Sequence, residues 1–163
     1  MKLTSRDVVS FFNSPPKGIT GVLIYGNDPM RVSDKRHQLI KSLLGSNATE
    51  EMRLAQISRE NLKKEPEQAI DLCKAQGFFP GERALLIEEG NETITEIIIK
   101  AVEAWRDGDA TIVVTAGSLK PSSSLRKFFE QKKNTYSVPI YDNPMTKFEV
   151  EKIIAESGLQ NLT

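Results

Sequence analysis

Five short apolar runs alternate along the chain with longer stretches in which apolar residues recur every three or four positions. This rhythm predicts stacked β-α units around a mainly parallel sheet. The runs are Gly21 to Tyr25, Met52 to Ile57, Arg83 to Ile87, Thr111 to Thr115 and Tyr136 to Ile140, with Met52 to Ile57 the weakest pattern. Several are almost unbroken in apolar character, as expected of strands covered by helices on both faces. Helical periodicity covers Ser5 to Phe12, Ser33 to Leu44, Pro66 to Ala75, Ile94 to Trp105 and Ser123 to Gln131. Ser33 is placed to cap the first long helix. Gly45 and Gly108 follow the ends of two others, where glycine's left-handed conformation can satisfy the last carbonyls. Trp105 shares helical spacing with Ile97, Ile98 and Val102 and reads as core.

After the fifth run, Asp142-Asn143-Pro144 interrupts the pattern, and Lys147 to Ser157 reads as a new helix followed by Gly158. The expected organisation is one α/β domain over 1–143 and the opening of a following helical domain over 144–163. The polypeptide is therefore expected to be a fragment of a longer protein.

Composition narrows the chemistry. Twenty-two basic residues balance twenty-two acidic ones, so no overall field draws the chain to nucleic acid or membrane, and a binding site has to be local. Cys73 is the only cysteine and His37 the only histidine, which excludes an internal disulfide, a zinc-binding cysteine set and a histidine-centred triad. His37 sits between Arg36 and Gln38 and reads as a surface residue. The N-terminus, with Lys2, Arg6 and Asp7, carries no apolar stretch long enough for a signal peptide or a membrane span, so a cytoplasmic protein is expected. The glycosylation-type triplets at Asn47 and Asn91 are read as chance. Lys120, Arg126, Lys127, Lys132 and Lys133 form a basic region interrupted by Glu130, read as a solvated helix face without an aromatic stacking platform.

The first strand runs into Gly26-Asn27-Asp28-Pro29-Met30-Arg31-Val32-Ser33 and then a helix, which is the strand-loop-helix context of a phosphate-binding loop. Against G-x-x-x-x-G-K-[ST], Gly26 and Ser33 match, Arg31 replaces the second glycine and Val32 replaces the lysine. The lost lysine would have supplied charge to the terminal phosphates, and the lost glycine would have let the backbone wrap them. Asp28 adds a carboxylate where phosphates would lie, so ATP is not expected to bind. These residues alone leave open whether the stretch is a degenerate phosphate loop or an ordinary one. Leu85-Leu86-Ile87-Glu88-Glu89 resembles the apolar run and acidic pair that hold magnesium in ATPases, with glutamate in place of the first aspartate.

A degenerate phosphate loop, five strands, and Gln76-Gly77-Phe78-Phe79-Pro80-Gly81-Glu82-Arg83 before the third strand together resemble the delta subunit of the bacterial DNA polymerase III clamp loader. Leu23-Ile24-Tyr25-Gly26 and Gly117-Ser118-Leu119-Lys120-Pro121-Ser122-Ser123-Ser124-Leu125-Arg126-Lys127 extend the resemblance over nearly the whole chain. The resemblance implies a three-layer, P-loop NTPase-like AAA+ domain without ATPase activity, cofactor or metal. It implies a role in DNA replication, binding the beta sliding clamp and helping to open it, as a subunit of a DNA-directed DNA polymerase holoenzyme. The implied partners are the clamp, the tau/gamma and delta-prime subunits, and DNA indirectly through the complex. Phe78 and Phe79 match the family's exposed apolar pair, with Phe78 standing where leucine is frequent. Leu72, Ala75 and Gln76 are candidates for the surrounding contact surface. From the residues themselves, Gly77 and Pro80-Gly81 favour a turn from which both rings can project, whereas in an arbitrary protein the pair would more often cap the core. Two other functions fit less of the chain. One is a magnesium-nucleotide phosphotransferase or hydrolase using Glu88 and Glu89, and the other is an inactive AAA+ adaptor such as delta-prime, whose zinc-binding cysteines have no counterpart here.

Overall fold

The structure, a computed structural model, describes residues 1–16, 18–45, 53–75 and 81–141. Five strands, β1 (Gly21–Gly26), β2 (Leu54–Ile57), β3 (Ala84–Gly90), β4 (Thr111–Ala116) and β5 (Thr135–Ile140), form one sheet in the order β2-β3-β4-β1-β5. Every neighbouring pair is parallel, so the expected mainly parallel sheet is parallel throughout. Leu23 of β1 lies between Val114 of β4 and Ser137 of β5, and β1, β3 and β4 are apolar along most of their length because both of their faces are covered.

Alternation along each strand splits the core into two layers. Val22, Ile24, Leu86, Val113 and Val138 face α1 (Ser5–Asn13) and α2 (Pro29–Leu44), together with Phe11, Phe12, Leu39 and Leu44. Leu23, Tyr25, Leu85, Ile87, Ile112 and Val114 face the other layer, which holds α3 (Arg59–Lys64), α4 (Gln68–Lys74), α5 (Thr95–Glu103) and α6 (Ser124–Gln131), with Ile98, Leu125 and Phe129 at its centre. Trp105 is half-buried against this second layer, as its spacing indicated, and its indole Nε1 donates to the Ala110 carbonyl at 2.8 Å.

Three boundaries differ from the sequence reading. Helix α2 begins at Pro29, four residues before Ser33, because Asp28 caps it and proline fits the first helical position. Ser33 therefore lies inside the helix. Helix α5 stops at Glu103, short of Trp105, and its end is not the left-handed glycine cap expected at Gly108, which turns within the following loop at φ 95°. Helix α3 was not foreseen. It is six residues long, has a single buried side chain, Leu62, and so carries almost no periodic signal; Ser58 caps it by accepting from the Asn61 amide. Gly45 closes α2 with φ 83°, as expected. The proposed break at 142–144 and the helix after it lie outside the described residues.

The connections fix where a ligand could sit. From β1 the chain crosses β4 and β3 to reach β2, then returns through β3 to β4, and from β4 it crosses β1 to reach β5. The loops leaving β1 and β4 thus depart in opposite directions. In open α/β sheets the crevice beyond the carboxyl ends of two such strands is where ligands bind.

Candidate functional site

A cleft of about 340 Å³ occupies that position, lined by Gly26, Asn27, Pro29, Val32, Ser33 and Arg36 from the β1-α2 side, Glu88 and Glu89 from β3, and Thr115 to Gly117 from β4. The phosphate-loop stretch and the acidic pair singled out in the sequence are brought together here. The local geometry, however, is that of a self-capped helix. Only Asn27 and Asp28 separate the end of β1 from the start of α2. The Asp28 carboxylate accepts from the Met30 amide at 3.0 Å and the Arg31 amide at 3.4 Å, which are the groups a helix N-terminus would offer an anion.

The two replaced motif positions have structural duties of their own. Val32, where the lysine would stand, is 5% exposed and packs with Leu39 and Ile40 against the sheet. Burying a valine contributes about 1.5 kcal/mol, whereas a lysine there would have to desolvate its charge. Arg31 turns away from the cleft: Nη1 donates to the Tyr141 carbonyl at 2.9 Å, and Nε lies 3.6 Å from Asp28. Ser33 Oγ accepts from Arg36 Nη2 at 3.1 Å, while its carbonyl pairs with His37 Nδ1 at 2.9 Å on the exposed side of α2. Gly26 has a packing requirement: a Cβ there would meet the Ile140 carbonyl oxygen at 2.4 Å.

Across the cleft, the β3-β4 register shifts between Ile87 and Gly90, and the bulge turns both Glu88 and Glu89 toward solvent, with Glu89 at φ 60°. Arg59 approaches Glu89, its Nη2 at 3.7 Å from Oε2 and its Nη1 donating to the Glu89 carbonyl at 3.3 Å. Among the described residues no group of three or more His, Cys, Asp or Glu side chains could hold a metal ion, and no helix is long and apolar enough to cross a membrane.

Removing the cap should be measurable. Asp28→Ala is expected to cost about 1 kcal/mol in urea unfolding, the usual penalty for losing a side-chain N-cap, with the denaturant slope unchanged. No loss would show that the two amides are satisfied in another way.

The flanks of the second sequence-derived site lie at the amino end of β3, away from the cleft. Gln76, Phe78 and Phe79 lie outside the described residues. Their flanks are described: Leu72 is half-buried against the core, Ala75 is exposed at the end of α4, and Gly81 resumes the chain three residues before β3. Around these flanks is a polar floor that the sequence reading missed. Lys74 Nζ donates to Asp109 at 2.7 Å and to the Ala104 carbonyl at 3.0 Å, and the Ala110 amide donates to the Cys73 carbonyl at 2.9 Å. Partial burial acts to raise the Asp109 carboxyl, but hydrogen bonds from Lys74 and the Arg106 amide more than offset it and hold the group below its usual range. Cys73 is buried, and desolvation pushes its thiol up to about 12, so it is chemically inert.

The basic region divides. Arg126 is engaged by Glu130 at 3.3 Å and lies over the Tyr25 ring, while Lys120, Lys127, Lys132 and Lys133 are exposed. Comparison with family models and with curated proteins yields no match for this chain.

Proposed function

We propose that this chain is the N-terminal AAA+-like domain of a clamp-loader delta subunit, a non-catalytic module that grips the beta sliding clamp through Phe78 and Phe79. The observation that carries the non-catalytic half is the cap on α2. A P-loop protein uses the amides at this helix start to hold phosphate, and here Asp28 occupies them, Val32 replaces the cation and Arg31 serves β5. The position of β1 inside a parallel sheet, followed directly by α2 and a cleft at the switch point, supports descent from a nucleotide-binding scaffold. The clamp-binding half rests on the resemblance at residues 76–83 and 117–127.

On this reading the domain performs no bond-making step. It shifts the clamp toward its open form only by as much as it binds that form more tightly, and ATP hydrolysis belongs to neighbouring subunits. Glu88 and Glu89 are then solvent-facing carboxylates at the end of β3 and not magnesium ligands. The cytoplasm, where the replication machinery works, is the compartment that goes with this function.

Isothermal titration with Mg-ATP tests the non-catalytic half. No heat is expected at micromolar to millimolar nucleotide, and saturable heat would move the assignment to a magnesium-nucleotide enzyme built on the same cleft. A pull-down with the sliding clamp tests the other half, since retention is expected from the domain alone.

A further inference from the structure

We propose that a second cavity, at the outer edge of β5, is a binding site for an organic ammonium ion, a charged amine carried on an apolar chain or ring. This site is independent of the clamp reading. Residues 1–3 lie along β5 as a short strap: Lys2 bridges to Ser137 in parallel, the Leu3 amide donates to the Ser137 carbonyl at 3.0 Å, and the Ser137 amide donates to the Met1 carbonyl at 2.9 Å. The chain then turns at Thr4, which caps α1, and α1 packs on the sheet face that also carries α2. Between strap and helix is a cavity of about 370 Å³, within the size range of small-ligand sites.

Its walls differ in chemistry. Leu3, Phe11 and Tyr136 make the apolar side, with the Phe11 and Tyr136 rings 4.8 Å apart and tilted by 44°. Leu3 and Phe11 are buried, whereas Tyr136 is half-buried and is the ring with surface left to give a ligand. Asp7, Ser10 and Ser14 make the polar side, at spacings of three and four that continue along one stripe of α1. Asp7 is the only charged side chain among the residues that line the cavity. Its Oδ2 accepts from the Thr4 hydroxyl at 2.8 Å, and among the described residues no cation pairs with it. The Met1 amine is directed elsewhere, donating to the Phe129 and Thr135 carbonyls.

A carboxylate and two hydroxyls beside an aromatic surface select a cation that is itself partly apolar. An ammonium brings three N–H donors for the Asp7 carboxylate and the serine hydroxyls, while its apolar body covers Leu3 and Tyr136. A cation beside the ring gains the attraction of its electron-rich face. The same helical layer already holds one such contact, with Lys35 Nζ 5.5 Å from the centre of the Phe12 ring. An anion would be repelled by Asp7, and a purely apolar ligand would desolvate that carboxylate without returning a hydrogen bond.

The test follows backbone amide shifts in proton–nitrogen NMR spectra of the 163-residue chain, with phenethylamine as probe and 2-phenylethanol as its uncharged counterpart. Saturable shifts are expected around Asp7, Ser10, Phe11 and Tyr136, with a dissociation constant on the order of a millimolar for so small a ligand. The alcohol should bind about tenfold more weakly, and Asp7→Asn, which keeps an oxygen for Thr4, should cost the amine about the same factor. Tyr136→Leu should weaken the amine about threefold, and Tyr136→Phe should leave it unchanged. If Asp7→Asn loosens α1, seen as a fall in the urea midpoint, the Tyr136 pair and the alcohol decide. No saturable shift, equal binding of amine and alcohol, or unchanged binding in a folded Asp7→Asn or Tyr136→Leu variant overturns the site. A blocked lysine, acetylated at its α-amine and amidated at its carboxyl, separates the sources: tighter binding than phenethylamine assigns the site to a lysine side chain of a protein, and weaker binding assigns it to a free amine.

Discussion

Replacing Phe78 and Phe79 together with alanine is expected to weaken clamp binding by about a thousandfold in a surface-plasmon assay. Each aromatic anchor entering a desolvated pocket is worth on the order of 2 kcal/mol, and about 4 kcal/mol corresponds to three decades in affinity. Most of the change should appear as faster dissociation, because truncating an anchor seldom alters the encounter. Far-ultraviolet circular dichroism and the urea midpoint should be unchanged. Persistence of binding would remove the docking assignment, and a collapse of stability would reassign the pair to the core under β3. The single variants separate the two rings. Phe79 matches the family's pattern directly and Phe78 stands where leucine is frequent, so Phe79→Ala is expected to cost more.

Gly26→Ala should destabilise the fold by about 2 kcal/mol, measured by urea unfolding. Within a strand this substitution ordinarily stabilises by about 0.5–1 kcal/mol, because alanine has less backbone freedom to lose, so the sign of the result discriminates. Here the new Cβ would lie 2.4 Å from the Ile140 carbonyl oxygen and 3.2 Å from the Ile140 side chain, and the oxygen cannot yield without moving β5. Gly117→Ala is the control. It lines the same cleft with nothing within 4 Å of its Cβ position and should change stability by less than about 0.5 kcal/mol. A neutral Gly26→Ala would return that glycine to the list of residues explained only by a phosphate. A destabilised one gives it a packing reason independent of any nucleotide.

These two variants test the two halves of the proposed function, clamp docking and the absence of a nucleotide site. At the carboxyl edge, Asp28 accepts from the first amides of α2, Val32 is buried and Arg31 donates to the Tyr141 carbonyl. At the amino edge, Arg83, Lys74 and Asp109 tie α4 to the entries of β3 and β4 beside the segment proposed to dock.

Much of this was legible residue by residue. The apolar runs from Gly21, Arg83, Thr111 and Tyr136 became β1, β3, β4 and β5 within a residue or two at their starts, because strands covered on both faces leave a nearly continuous apolar signature. The α2 boundary was misread for a local reason. Asp28 and Ser33 are both competent caps, and aligning the stretch with a phosphate motif favoured Ser33, whereas Pro29 was the signal that pointed to Asp28. Helix α3 escaped because six residues with only Leu62 buried show no period.

Periodicity, caps and turn residues act between near neighbours, and they were enough to indicate the α/β class, the five strands and most of the helices. Strand order, the cleft between β1 and β4, the turn of Arg31 toward Tyr141 and the reach of Arg83 to Gly108 depended on the folded whole. Each joins residues that are 25 to 110 positions apart or strands that are not consecutive, and no local pattern encodes such a meeting. The loop after β1 shows the difference most plainly: its residues departed from a phosphate-binding pattern, and only the packing of α2 and β5 around it showed what Asp28, Arg31 and Val32 do.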